Sequence, residues 1–211
     1  MSQSERVRMT GPERREQLLG CGRQLFAAKG FAAVSVEMIA QHAGVTKPVV
    51  YEHFGGKEGL YEVVVERETA ALLDRIGEAL VGETPRLKLE QAADAFLSYI
   101  EEEQDGFRVL TRDVPAVTAS GSFGSLIGDI ASQVEHILVE EFRPRDLDPA
   151  MAPLYSRALV GMVALVGQWW LEAGRPRRDD VAAHLVNIAW NGLSGLDKTP
   201  DLRIRDGRRT A

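Results

Sequence analysis

The sequence predicts an all-α fold on three observations. Apolar residues recur at helical spacing in nearly every segment. Alternating strand patterns are nearly absent, and Gly-Gly, Gly-Pro and Pro-rich punctuation falls between the periodic stretches. In chain order, Pro12 sits at a first-turn position after Thr10-Gly11 and opens a helix that ends at Gly30. Residues 35–57, SVEMIAQHAGVTKPVVYEHFGGK, read as two short helices joined by a tight turn. Ser35 and Thr46 stand where hydroxyls cap the two helices, and Gly44 stands where the backbone must turn sharply. Gly55-Gly56 breaks the chain, and a long helix follows over 57–80 with Leu60, Val63, Val64, Ala71, Leu72, Ile76 and Leu80 at roughly helical spacing. Further helices are expected over 87–104, 122–142, 151–173 and 179–193, with a short piece near 107–112. A Gly/Ser break falls at 119–125, RPRDLDP is a linker, Gly174-Arg175-Pro176 separates the last two helices, and the tail over 199–211 is polar and loose.

With 211 residues and 45% hydrophobic content, the chain can bury a substantial core. No run of about 18 consecutive apolar residues marks a spanning helix, and the polar N-terminus MSQSERVRMTGPERR lacks the apolar stretch of a signal peptide. The single cysteine cannot form an internal disulfide. A cytoplasmic protein with no membrane partner is the expectation. The net charge of −6 is unevenly spread: residues 1–60 carry eight Lys/Arg against six Asp/Glu, and the remainder carries 17 against 25. An acidic body with a mildly basic head concentrates favourable potential for a polyanion at the N-terminal end.

In the second short helix, Val50 and Phe54 are four apart and can face inward, which leaves Lys47, Tyr51 and His53 outward. A short helix with one apolar edge and one polar, partly basic edge is what a helix-turn-helix places in a DNA groove. From Arg14 onward, RREQLLGCGRQLFAAKGFAAVSVEMIAQHAGVTKPVVYEHFGGKEGLYEVVVERE resembles the N-terminal domain of the TetR family of bacterial transcriptional regulators. Cys21 and Gly22 stand where that family usually has two alanines, and Gly22 weakens the helix by about 1 kcal/mol relative to alanine. The resemblance implies a three-helix DNA-binding domain over 1–56 and a larger helical ligand-binding and dimerisation domain over 57–198. It also implies DNA-facing positions at Ser35, Thr46, Lys47, Pro48, Val49, Tyr51, His53 and Lys57. Lys47 can meet a guanine edge or a phosphate, Pro48 and Val49 a thymine methyl, and Tyr51, Lys57 and Ser35 a phosphate. Glu52, an acid beside the DNA backbone, either points away or reads cytosine.

The last two helices, around LYSRALVGMVALVGQWWLEA and VAAHLVNIAWNGLSGL, have little polar face and need burial on more than one side. Small residues Gly161, Ala164, Gly167, Ala182, Ala189 and Gly192 permit close helix approach, so a four-helix bundle across a twofold axis is expected. The resemblance implies the same homodimer, whose recognition helices would sit one DNA turn, about 34 Å, apart or a multiple of it.

Large apolar side chains on four segments could enclose a ligand cavity: Phe96, Tyr99, Ile100, Phe107, Leu110, Phe123, Leu126, Ile127, Ile130, Val134, Met162, Val166, Trp169 and Trp170. Few polar groups recur among them, which points to a small hydrophobic effector. WWLEAGRP and WNGLSGL are similar to regulators of high-GC Gram-positive bacteria, some of which respond to acyl chains or acyl-CoA. No cofactor or metal is expected, and neither is an enzyme. The four histidines are dispersed, there is no HExxH or GxSxG, and Ser120-Gly121-Ser122 lacks a phosphate-loop lysine. The expected function is a repressor that binds a palindromic operator as a dimer and is released by ligand. The alternatives are a ligand-modulated activator of the same fold and an apolar-ligand protein with no DNA role.

Overall fold

The computed structural model describes residues 9–80, 83–112 and 123–201, apart from the side chain of Phe123. Among these residues the chain forms α1 (Gly11–Lys29), α2 (Val36–Ala43), α3 (Lys47–Phe54), α4 (Lys57–Ala79), α5 (Pro85–Glu102), α6 (Gln104–Thr111), α7 (Phe123–Phe142), α8 (Ala152–Ala173) and α9 (Arg178–Ser194), with no strand. The all-α prediction holds. Residues 113–122, with most of the expected Gly/Ser break, and the expected tail from 202 onward lie outside the described residues.

The helix ends follow their capping chemistry. Thr10 and Glu13 form a reciprocal capping box at the start of α1. Ser35 Oγ accepts from the Met38 amide at 3.2 Å, as expected of the α2 N-cap. Thr46 occupies the N-cap of α3 but makes no side-chain cap, contrary to expectation. The reason is local: Pro48 at the second helical position has no N–H, and the Val49 amide is taken by the Thr46 carbonyl at 3.1 Å. Gly44 ends α2 in the left-handed region at φ 65°, which gives the turn before α3 its sharpness.

The stretch RPRDLDP is more than a linker. It forms a 3₁₀ turn over Arg143–Arg145, leads into a second over Pro149–Met151, and buries Leu147 against Leu138, Phe142 and Ala152. Arg145 donates to the carbonyls of Leu193 and Ser194 at 2.8 and 3.1 Å, which caps the end of α9.

The described residues group into two compact units. One contains α1–α3, α4 as far as Asp74, the end of α5 from Tyr99, α6 and the start of α7 to Leu126. The other contains the rest of α4, α5 to Ser98, α7 from Ile127, α8 and α9. This division by packing differs from the division by role expected between residues 56 and 57, because helices α4, α5 and α7 each contribute to both units.

At the α3–α4 corner, a Cβ on Gly59 would collide with the Phe54 carbonyl oxygen. Backbone cannot swing aside as a side-chain tip can. Gly59→Ala is therefore expected to destabilise the protein by about 2 kcal/mol or more, despite alanine's better helix propensity. Thermal unfolding followed by circular dichroism should show a Tm lower by about 4–8 °C, and a raised Tm would mean that the corner relaxes freely.

In α8 the buried stripe is Ser156, Val160, Ala164, Gly167 and Trp170. The opposite side leaves Leu154 62%, Leu165 68% and Trp169 55% exposed, and on α9 Ile188 is 61% exposed. By length and composition, Pro149–Ala173 is apolar enough to cross a membrane. It contains no run of about 18 consecutive apolar residues, as expected, because Ser156, Arg157 and Gln168 interrupt it, but its average is apolar. Only 28% of its most apolar window is buried.

Candidate nucleic-acid interface and apolar cavity

The helix-turn-helix is built against α1. Leu18, Leu19 and Phe26 of α1 are buried along with Ile39, Ala40 and Ala43 of α2 and Val50 of α3. Two α1 side chains then fasten the helix ends. Arg15 Nη1 donates to the His53 carbonyl at 3.0 Å, and its guanidinium lies 4.4 Å above the Phe54 ring. Gln17 Nε2 donates to the Ala43 carbonyl at 3.1 Å. These bonds satisfy carbonyls that helix ends leave without partners, and they fix α2 and α3 as a pair.

With Val50 inward, α3 presents Thr46, Lys47, Pro48, Tyr51 and Glu52 at the surface. Val49 and His53 are half-buried on its flanks, and Ser35 is half-buried at the start of α2. Tyr51 is 54% exposed, an amphipathic ring with no burial to explain it. Lys47 pairs with Glu37 of α2, which holds the ammonium at the N-terminal end of α3.

Lys57 is placed differently from a free surface cation. Its ammonium donates to the Phe31 carbonyl at 3.2 Å and lies 4.2 Å above the Phe31 ring. Phe31 in turn stacks with Phe26 and meets Tyr61. In this state Lys57 fastens the turn between α1 and α2, and its ammonium keeps further N–H donors for another acceptor. Arg15, Gln17 and Glu37 were not anticipated from sequence. Arg and Gln donating to distant carbonyls have no periodic or spacing signal.

Within the second unit lies a cavity of about 140 Å³. Ile76, Leu80, Leu89, Ala92, Ala93, Phe96, Ile127, Ile130, Val134, Ile137, Leu138, Leu159, Val160, Val163, Ala164, Trp190 and Leu193 supply its apolar wall, with Pro85, and its ionisable lining is Lys88 and Glu141. Of the side chains expected there, Phe96, Ile127, Ile130 and Val134 line it. Tyr99, Ile100, Phe107, Leu110 and Leu126 are buried in the first unit instead. Met162 and Val166 are half-buried on α8 away from the lining, Trp169 faces outward, and the side chain of Phe123 lies outside the described residues. Trp170 is buried with its indole N–H on the Pro176 carbonyl at 2.8 Å. The lining residues missed include seven Leu and Ile side chains as large as the Leu and Ile expected, together with the small Ala92, Ala93 and Ala164.

Comparison with known proteins agrees with this geometry. Residues 18–64 match the family of bacterial regulatory proteins of the tetR type, and residues 85–192 match the tetracyclin repressor-like C-terminal domain. The HTH-type transcriptional activator FasR of Mycolicibacterium smegmatis is 31% identical over 200 residues, covering 91% of this chain and 88% of the relative. A TetR-like transcriptional regulator from Rhodococcus sp. RHA1 superposes with a TM-score of 0.76 at 27% identity, covering 90% of this chain and all of the other. A tetR-family regulator from Streptomyces coelicolor, 28% identical, covers 86% of this chain and 80% of its own with a TM-score of 0.63. A helix-turn-helix braced by α1, an all-helical body and matches that together span most of the length place this chain in the TetR family of transcriptional regulators, proteins that bind DNA and are not enzymes.

Proposed function

We propose that the chain binds a palindromic operator as a homodimer and that a small hydrophobic effector in the cavity changes its affinity for that operator. Residues 1–56 read DNA, residues 57–198 hold the effector and the dimer contact, and the protein acts in the cytoplasm. The observation that carries the reading is the surface edge of α3. Thr46, Lys47, Pro48 and Tyr51 are exposed on a helix whose other edge is anchored by the fully buried Val50. Lys47, Tyr51, Ser35, Thr46, Pro48, Val49, His53 and Lys57 are the proposed DNA contacts. The outward apolar sides of α8 and α9 support a dimer through these two helices, since a monomer would leave Leu154, Leu165, Trp169 and Ile188 in water.

The effector acts by population shift. It can move the equilibrium only through different affinities for the DNA-competent and DNA-incompetent dimers. The helix α4 starts at Lys57, next to the helix-turn-helix, and carries Ile76 of the cavity wall, so it is the proposed lever. In this reading the protein is a repressor that the effector releases from its operator; whether release relieves repression or ends activation is set by where the operator lies relative to the promoter. One observation favours the opposite sign: the relative that is 31% identical bears the name of a transcriptional activator.

The test is a binding titration against a palindrome selected from random DNA by the wild-type protein. Binding should fall about a thousandfold or more between 50 and 200 mM salt. Lys47→Ala should lose discrimination among base substitutions by about 1–3 kcal/mol per half-site, because the N-terminal residues of a recognition helix meet base edges. A uniform loss across sequences, with a salt slope lower by about 2 for the dimer, would instead place Lys47 on phosphate. Salt-insensitive binding with no sequence preference would end the DNA reading.

A further inference from the structure

The side of α1 that faces α4 and α6 carries a polar junction that DNA contact does not require. Arg23, midway along α1, forms an ion pair through Nε with Glu68 Oε1 of α4 at 2.8 Å. From Nη2 it reaches Glu103 Oε2, at the start of α6, at 2.5 Å. The second oxygen of Glu68 accepts from the Tyr99 hydroxyl of α5 at 2.8 Å. Arg23 and Glu68 are largely buried, with side chains 27% and 13% exposed. Gly106 of α6 completes the junction by its lack of a side chain, since a Cβ there would collide with Glu68 Oε2.

The chemistry keeps these groups in one state. Burial draws the Arg23 pKa down, but Glu68 and then Glu103 more than offset it, so the guanidinium stays charged. Burial, and then the Glu68 carboxylate, push the Tyr99 phenol well above its ordinary range, so it remains a donor. Buried ion pairs are weak sources of stability, because desolvation offsets most of the attraction, and their best-attested use is to fix register. Apolar packing tolerates sliding, whereas a planar guanidinium forked between two carboxylates defines one orientation. The same side of α1 is held at two further points. Arg67 of α4 makes a two-point contact with Glu16 at 2.6 and 2.7 Å. Arg112, just past α6, donates to the Ala27 and Ala28 carbonyls at 2.7 and 3.0 Å.

We propose that Arg23, through Glu68, Glu103 and Tyr99, is the positioning residue that fixes the angle of the helix-turn-helix on α4 and α6, and so sets the half-site spacing the dimer accepts. The inference rests on the reading of the chain as a dimeric operator-binding protein. Arg23 touches no base or phosphate in this role. It determines where α3 is presented.

The experiment uses the full-length protein, the palindrome selected by wild type, the same palindrome with one or two base pairs inserted or removed at its centre, and a duplex carrying a single half-site. Each inserted pair turns one half-site by about 34° relative to the other. Wild type should prefer one spacing. The paired variant Arg23→Gln/Glu68→Gln, which leaves neither of that pair charged and buried without its partner, should bind the single half-site as wild type does. Its preference among spacings should be weaker by about 3- to 30-fold. Gly106→Ala, which changes no charge, should act in the same direction, and Arg23→Lys, a point charge that cannot fork, should fall between. Circular dichroism identifies variants that fail to fold, and Glu103→Gln, at a half-exposed position, supplies a milder probe in that event. A folded variant with the wild-type spacing profile would overturn the proposal. If wild type itself shows no spacing preference, or binds no palindrome above nonspecific DNA, the dimeric operator reading fails and takes the proposal with it. Failure of the proposal alone appears only in the variants.

Discussion

Aspartates placed at Leu165 and Ile188 are expected to yield a folded monomer that binds the palindrome about 100-fold or more weakly than wild type. Both side chains point away from the core of their own unit, at 68% and 61% exposure. A polar substitution at such a position costs a single chain within about 0.5 kcal/mol. The cost falls on association. A charge carried into an apolar interface loses its water without gaining a partner, and twofold symmetry doubles the number of charges buried. DNA binding suffers in turn, because two tethered recognition helices bind with an avidity about 10²–10⁴ above either alone. Sedimentation equilibrium measures the first effect, and anisotropy against full and half palindromes the second. The variant should match wild type on the half-site. A dimer mass for the folded double variant would place the interface on another face.

The elements were legible in the sequence because the signals that define them are local. The expected long helix over 57–80 is α4 at Lys57–Ala79, and the expected 151–173 and 179–193 are α8 and α9 within one residue at each end. Capping hydroxyls, apolar spacing and glycines at turns act within a few residues, so one chain displays them. What failed to be legible depends mostly on groups distant in sequence. The two turns over Arg143–Met151 depend on Leu147 finding a core made by α7 and α8. Thr46 is a local exception, its cap forestalled by a proline two residues on and an amide already taken. The cavity was the hardest to locate, because large aromatic residues fill space. Tyr99 and Phe107 are fully buried in the first unit, whereas the space near α5 and α8 comes from Ala92, Ala93 and Ala164. Arg15, Arg23 and Arg112 act across 38 to 85 residues of chain, and no pattern in a single sequence announces a side chain that reaches so far.

Filling the cavity from its wall is expected to shorten the apolar ligands that it accepts. Ala92 is half-buried, lines the cavity and adds little bulk to it. Ala92→Phe would place a ring in the free volume. Neutral n-alkanols are suitable probes, since the wall is apolar almost throughout. In wild type their affinity should rise about fourfold per methylene, at about 0.8 kcal/mol each, until the chain fills the space. In Ala92→Phe the rise should stop at a shorter chain, with a loss on the order of 100-fold for the longest alkanol that wild type accommodates. The unliganded variant should gain about 0.5–2 kcal/mol in stability, as cavity filling commonly gives. If the cavity is the effector site, linkage imposes a further condition. Whatever factor a bound alkanol applies to operator affinity, the operator must apply to alkanol affinity. Titrating each in the presence of the other measures the factor twice, and Ala92→Phe should bring both measurements to unity. A variant that still binds the longest alkanol at wild-type strength would show that these ligands enter elsewhere. Equal operator affinity with and without saturating alkanol in wild type would mean that this cavity takes apolar molecules without communicating with α3.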